Sequence, residues 1–455
     1  MTGAEAESAG VVVASGYTSY QPEQNWLLVR RRAVLIALLA TAFAARVAVR
    51  AAFGEQYFWT NGYAAYYDIA TNIAGGKGFC LRNACAWLPP LYPLFLTISV
   101  LAGKSLWLVI VPQAVIGSGT ALCAYLIGRE IFDSRAALIA CAITAFYPYY
   151  VMHDTALQET GTVTFCTALA VWLLLRARRS NGNLDWLLAG IVLGTVQLAR
   201  ASATLTIIAG ILWCICWGAS GGVSEKLRKA AVLAFAAVVT VSPWLLHTYR
   251  STGTPIVTSQ VGMALWMGNN PDTFSYYPAE SIDRSHAQAF RDLSAADRAE
   301  LAKLAHDEIA TSNWYAQRAL EFMRENPLLV AQGAVRKLAA GFSWRLNPYR
   351  DAVAEAAYSI GYVPVIVLGI WGMLLAREEP GTPLIGLLIL AYCSVTAIFW
   401  SHTSHRSYLD VYLIVFAASV IDRAWRRLEL HKMTAAHPTS PENQNKFRGT
   451  ARPAA

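Results

Sequence analysis

The sequence predicts an all-α polytopic membrane protein with about ten transmembrane helices and two outer loops that carry interfacial helices. Hydrophobic residues make up 55% of the 455 and charged residues only 15%, where a soluble domain carries about 25% charged. Apolar stretches near the roughly 20 residues that cross a hydrocarbon core recur along the chain with few charges inside them. The formal charge is +8, but the basic residues sit in short clusters beside those stretches rather than on one amphipathic surface, a pattern set by topology and not by nucleic acid.

A polar leader, Met1 to Asn25, precedes Arg30, Arg31, Arg32 and a full apolar span, so the first helix is expected to stay as an anchor and not to be a cleaved signal. Spans are expected at Ala33 to Ala52, Leu106 to Ile127, Ala136 to Met152, Leu157 to Leu175, Trp186 to Leu198 and Ala203 to Trp217. Four more follow at Ala230 to Leu246, Ala357 to Leu375, Leu384 to Trp400 and Tyr408 to Ile421. Leu91 to Ala102 is apolar but short and opens on PPLYP, so it is expected to lie at the membrane surface. Leaving it out of the spans puts Arg129 and Arg135, Arg176 to Arg179, Lys226 to Lys229, Arg377 and Arg423 to Arg427 on the N-terminal side, as the positive-inside rule requires.

This topology predicts a cytoplasmic tail over 1–32, a transmembrane domain over 33–424 and a cytoplasmic, partly disordered tail over 425–455. Both termini are then cytoplasmic in a multi-pass protein of the plasma (inner) membrane, with outer loops at about 53–105 and 247–355. In the second loop Ser294 can cap a helix that Asp297 supports. More helix is expected over Trp314 to Arg324, then an interfacial apolar-basic stretch from Asn326-Pro327 to Trp344. Six cysteines fall within apolar stretches as core residues. Cys80 and Cys85 bracket a polar loop, as a local disulfide or as two free thiols.

Gly62 to Ala74 places Tyr66, Ile69 and Ile73 on one helical face and Asp68 on the other. Asp68 is either a general base at the membrane surface or a solvated carboxylate. Arg46, Arg50, Arg200, Arg250 and Arg406 fall where spans meet the outer face, against the positive-inside bias. Long side chains can snorkel from helix ends, but five together fit a lipid-linked phosphate, which arginine pairs with bidentately. His153, Asp154 and Glu159 lie close in sequence. They can cap helix ends, or Asp154 and Glu159 can hold a divalent metal. No P-loop, zinc-protease motif or nucleophile elbow offers a different chemistry.

In these residues the chain resembles the bacterial branch of glycosyltransferase family 39. That family has the membrane GT-C fold and includes the protein O-mannosyltransferases and the aminoarabinose transferase acting on lipid A. The resemblance runs from about Arg46 to Ile421 through YYDIATNIAGGKGF, PPLYPLFL, YLIGREIFDSRAALIACAITAFYP, LQET, LAGIVLGTVQLAR, SPWLLHTYRSTG, WMGNNP, ENPLLVAQGAVRKL and HRSYLDVYLIV. It implies inverting transfer of a sugar from a polyprenyl-phosphate carrier to a lipid, glycan or protein acceptor on the outer face. The family's base is an acid opening the first-loop helix, at the position of Gly62 here. Asp68 and Glu55 are the nearest carboxylates, and the base is expected to be one of them. The resemblance also implies substrate contacts at Glu159, Arg200, Lys337, His405 and Arg406, and charge and depth add Arg46 and Arg250. The alternative function is a non-catalytic GT-C-fold binder or transporter of a lipid phosphate.

Overall fold

The structure is a computed structural model that describes residues 22–60, 62–103 and 105–436. The expectations for most of both tails, and for Asn61, lie outside the described residues. The regular elements among the described residues are all helices, with one isolated bridge between Leu81 and Ala84. Among the described residues, seven helices are long and apolar enough to cross a membrane, or eight when a bent pair counts as one span. The protein is therefore a multi-span membrane protein. Every expected window contains a helix, and the two that miss this count are Asn183–Ala199, which is shorter, and Asp410–Ala436.

Helix α1 (Pro22–Thr60) is longer than its apolar span. It continues past a break at Gly54, whose φ of 72° lies in the left-handed region that glycine adopts freely. Glu55, expected in a loop, is therefore on this helical extension. Helices α2 (Ala65–Ala74) and α3 (Leu91–Leu101) follow, and α2 buries Tyr66, Ile69 and Ala70 while Asp68 is exposed. Helix α4 (Trp107–Ile131) packs on α1 and leads to α5 (Ser134–Phe146) and α6 (Pro148–Asp154). The expected single span at Ala136 to Met152 is thus two helices bent by 51°. Pro148 has no N–H to continue the ladder and sits at the first turn of the second helix, where proline is tolerated.

Helices α7 (Thr160–Ser180), α8 (Asn183–Ala199), α9 (Thr204–Trp213) and α10 (Val223–Thr252) form the middle of the bundle. Gly190 and Gly194 let α8 approach α10 backbone to backbone: a Cβ at Gly194 would stand 2.8 Å from the Ala237 carbonyl oxygen. Such small-residue contacts drive packing in lipid, where burial of apolar surface gives no preference for one helix over another. The long connection then runs through α11 (Val261–Gly268), α12 (Ile282–Asp292), α13 (Ala295–Leu304), α14 (Glu308–Glu325) and α15 (Pro327–Gly341). Ser294 accepts from the Asp297 amide as its position predicts. The last spans are α16 (Ala352–Leu375) and α17 (Gly381–Ile398), followed by the short α18 (Thr403–Arg406) and α19 (Asp410–Ala436). Helix α19 lies against α16 and α5, with Val411 to Ala418 buried, and it stays helical to Ala436, past the boundary expected near residue 424.

The two connections are joined to each other. Cys80 and Cys85 form a disulfide, and the Cys85 amide donates to the Glu308 carboxylate at 2.9 Å. The Ala86 amide donates to the same group at 3.1 Å and the Ser259 hydroxyl at 2.7 Å. One carboxylate thus satisfies two loop amides that would otherwise be unpaired, and anchors the first connection on α14.

Candidate functional site at the junction of four helices

Glu159 is the residue just before α7. Arg200 ends α8 in an extended conformation, φ −152° and ψ 121°, which turns its side chain out of the helix. Gln197 holds that corner through the Ala201 carbonyl at 3.2 Å and the Thr204 hydroxyl at 2.8 Å. Arg200 Nη2 donates to Glu159 Oε1 at 2.5 Å, and its Nη1 donates to the His405 carbonyl at 3.5 Å. The two side chains are 14% and 16% exposed, so the pair is shielded yet reachable. The Tyr66 hydroxyl, carried by the buried face of α2, lies close enough to Glu159 to favour its charged form. Four separate elements therefore meet at one ion pair.

Beneath the pair, the segment from Asp154 to Glu159 is fixed by backbone contacts. Gln113 of α4 donates to the carbonyls of Asp154 and Ala156 at 2.9 and 3.1 Å and accepts from the Tyr92 hydroxyl at 2.7 Å. The Tyr63 amide donates to the Leu157 carbonyl at 2.9 Å. These contacts close the space at Gly62. A Cβ there would meet the Leu157 side chain and stand 2.9 Å from the carbonyl oxygens of Leu157 and Phe58.

Burial opposes charge on Glu159, but the Arg200 guanidinium and the Tyr66 hydroxyl outweigh it and hold the carboxyl below its usual range. Burial and the charge of Glu159 push the Tyr66 phenol well up. Burial and the charge of Arg350 lower His402 to about 3, and burial with Arg200 brings His405 well below its usual value. Both imidazoles are therefore neutral at neutral pH. Trp400 lies against them, its ring 4.9 Å from His402 and 5.0 Å from His405. The cluster offers an anion partner, one carboxylate, hydroxyl and imidazole hydrogen bonds, and an aromatic face, a combination that suits a sugar beside a phosphate.

Of the residues expected from sequence, Glu159, Arg200 and His405 come together here. Arg46 does not. It is fully buried, pairs with Asp154 at 2.7 Å and donates to the Ala42 and Ala145 carbonyls at 3.0 Å each. Asp154 is thus paired with Arg46 and Glu159 with Arg200, and the described residues contain no group of three or more His, Cys, Asp or Glu able to hold an ion. Arg406 is likewise fully buried, bound to Asp410 and the Tyr358 hydroxyl at 3.2 Å each, with its guanidinium 3.7 Å from the Tyr362 ring centre. Buried guanidinium groups need such partners, and these two have them inside the bundle. Lys337 is enclosed, donating to Asn269 at 3.2 Å and to the Ile398 carbonyl at 3.1 Å. Arg250 is exposed at the end of α10, Asp68 is exposed on α2, and Glu55 is exposed and accepts from Trp59 at 3.4 Å. Sequence reasoning missed Tyr66 as a site residue, and also His402 and Arg350. Tyr66 was visible only as one of an apolar helical face.

Residues 88–247 match the family described as Dolichyl-phosphate-mannose-protein mannosyltransferase. That stretch contains both members of the ion pair. Among solved structures the chain is similar to the archaeal oligosaccharyltransferase AglB from Archaeoglobus fulgidus, in complex with an inhibitory peptide and a dolichol-phosphate. The TM-score is 0.51 at 14% identity, covering 95% of this chain and 53% of that one. The chain has the GT-C fold. A Bacillus subtilis (strain 168) protein named "Putative mannosyltransferase YkcB" is 31% identical over 175 residues, 38% of this chain and 24% of that protein. The STT3B subunit of the dolichyl-diphosphooligosaccharide–protein glycosyltransferase of Oryza sativa subsp. japonica is 39% identical over 74 residues, 16% of this chain and 10% of that protein. The alignments thus span a quarter or less of either relative's length.

Proposed function

We propose that this GT-C protein is a membrane glycosyltransferase that moves a sugar from a polyprenyl-phosphate carrier to an acceptor on the outer face, with inversion. The observation that carries the reading is the shielded Glu159–Arg200 pair where α2, α7, α8 and α18 meet. The dolichol-phosphate named in the AglB complex supports a lipid phosphate as donor carrier. In the transfer the acceptor oxygen attacks the anomeric carbon opposite the phosphate, and the carbon–oxygen bond to phosphate breaks. Arg200 then faces the charge that grows on the leaving phosphate, and stabilising that charge lowers the barrier. The positive clusters support both termini being cytoplasmic in a plasma (inner) membrane, which puts the site outside.

The closed space at Gly62 favours a second reading, because the family's base position holds no acid and has no room for one. In that reading the protein binds or moves a lipid phosphate without chemistry. A turnover assay separates the two. The protein in proteoliposomes is given mannosyl undecaprenyl phosphate labelled in the sugar, with a membrane extract as acceptor source. Transfer requires protein-dependent release of undecaprenyl phosphate, whereas bound donor that stays intact selects the binder.

A further inference from the structure

We propose that Glu159 is the general base of the transfer and that the donor phosphate frees it by taking Arg200 away. This rests on the glycosyltransferase reading above. The geometry narrows the choice of base. Gly62 is walled in by Leu157 and Phe58. Asp68 and Glu55 are exposed, and neither sits with Tyr66 on the buried face of α2. Asp154 is held by Arg46. Asp351 caps α16 through the amides of Val353 and Ala354, and Asp283 is exposed in the first turn of α12. Glu159 is the carboxylate bonded to Arg200, at the point where α2, α7, α8 and α18 meet.

Paired with Arg200, Glu159 is a poor base, since its charge is matched by the guanidinium. The titratable groups that influence it are Arg200, Tyr66, Tyr63, Tyr92 and His153, and of these only Arg200 is a fixed cation. The donor is a phosphodiester with one negative charge, and its two non-bridging oxygens compete with the carboxylate for the same guanidinium in a matching bidentate geometry. Once Arg200 turns to it, Glu159 is a shielded carboxylate without its counter-ion, and its proton affinity rises. The base is thus strengthened only when donor is present. The acceptor hydroxyl gives its proton to a Glu159 carboxylate oxygen while its oxygen lone pair bonds to the anomeric carbon. The bond from that carbon to the phosphate oxygen breaks with both electrons going to the phosphate, opposite Arg200. The product lipid phosphate then leaves, Arg200 returns, and the restored pair expels the proton to water.

The exchange predicts a sign that an ordinary binding role for Glu159 does not. Undecaprenyl phosphate is titrated into wild-type and Glu159→Gln protein in detergent, with thermal unfolding followed in each. Removing the competitor should tighten binding by roughly tenfold, while turnover of mannosyl undecaprenyl phosphate falls by about a hundredfold or more. Equal or weaker binding by a folded Glu159→Gln protein overturns the exchange and leaves the transferase reading standing. Absence of undecaprenyl phosphate binding in the wild type overturns both. Should Glu159→Gln fail to fold, the double variant Asp68→Asn with Glu55→Gln decides the base, since both positions are exposed. Retained turnover supports Glu159, and lost turnover returns the base to the first connection.

Discussion

A guanidinium inside a helical bundle is there for a partner, and the identity of that partner decides what the residue does. Arg46 and Arg406 end on Asp154 and Asp410, so their removal leaves an uncompensated carboxylate in a shielded setting. Breaking such a pair from one side costs about 3 to 5 kcal/mol. Arg406→Ala and Arg46→Ala are therefore expected to lower thermal stability in detergent strongly, with any loss of donor binding following the loss of fold. A folded Arg406→Ala protein that has lost only donor binding would place Arg406 in the site after all. Depth and charge were legible in the sequence for all of these arginines. Partnership was not, because Arg46 and Asp154 lie 108 residues apart and Arg200 and Glu159 lie 41 apart, and no local periodicity reports such contacts.

At the scale of helices, the amphipathic α2, the short apolar α3 and the capped α13 follow directly from pattern and capping residues, and they form where expected. What pattern does not give is where a helix bends or continues. The α5–α6 bend and the extension of α1 past Gly54 turned an expected span and an expected loop into something else. Helix α15 was expected as an interfacial element, and its Lys337 is wholly buried against Asn269 and the end of α17. Burial lowers that ammonium to about 8, whereas an unfolded lysine titrates near 10.4. Between these values the unfolded chain binds more protons than the folded one, so stability rises with pH across that window and falls again as pH drops through about 8. Wild-type protein should thus gain stability relative to Lys337→Met between pH 8 and 10 in thermal unfolding. Parallel curves for the two proteins would show that Lys337 is not buried as a charge.

For the whole molecule, the bundle and its two joined connections place the ion pair on the side away from the basic clusters. Single cysteines introduced at Gly103 or Asp283 should react with an impermeant reagent in intact cells, and cysteines at Ser134 or Ser180 should not. Labelling at Ser134 would invert the molecule and put the site on the cytoplasmic face. The central claim is that Arg200 receives the phosphate of a lipid-linked sugar, and the affinity of the folded Arg200→Ala protein for mannosyl undecaprenyl phosphate tests it most directly. A charge-assisted contact is worth about 1.5 to 3 kcal/mol, so the dissociation constant should rise roughly ten- to a hundredfold. Affinity unchanged from the wild type, with the fold intact, would contradict the account.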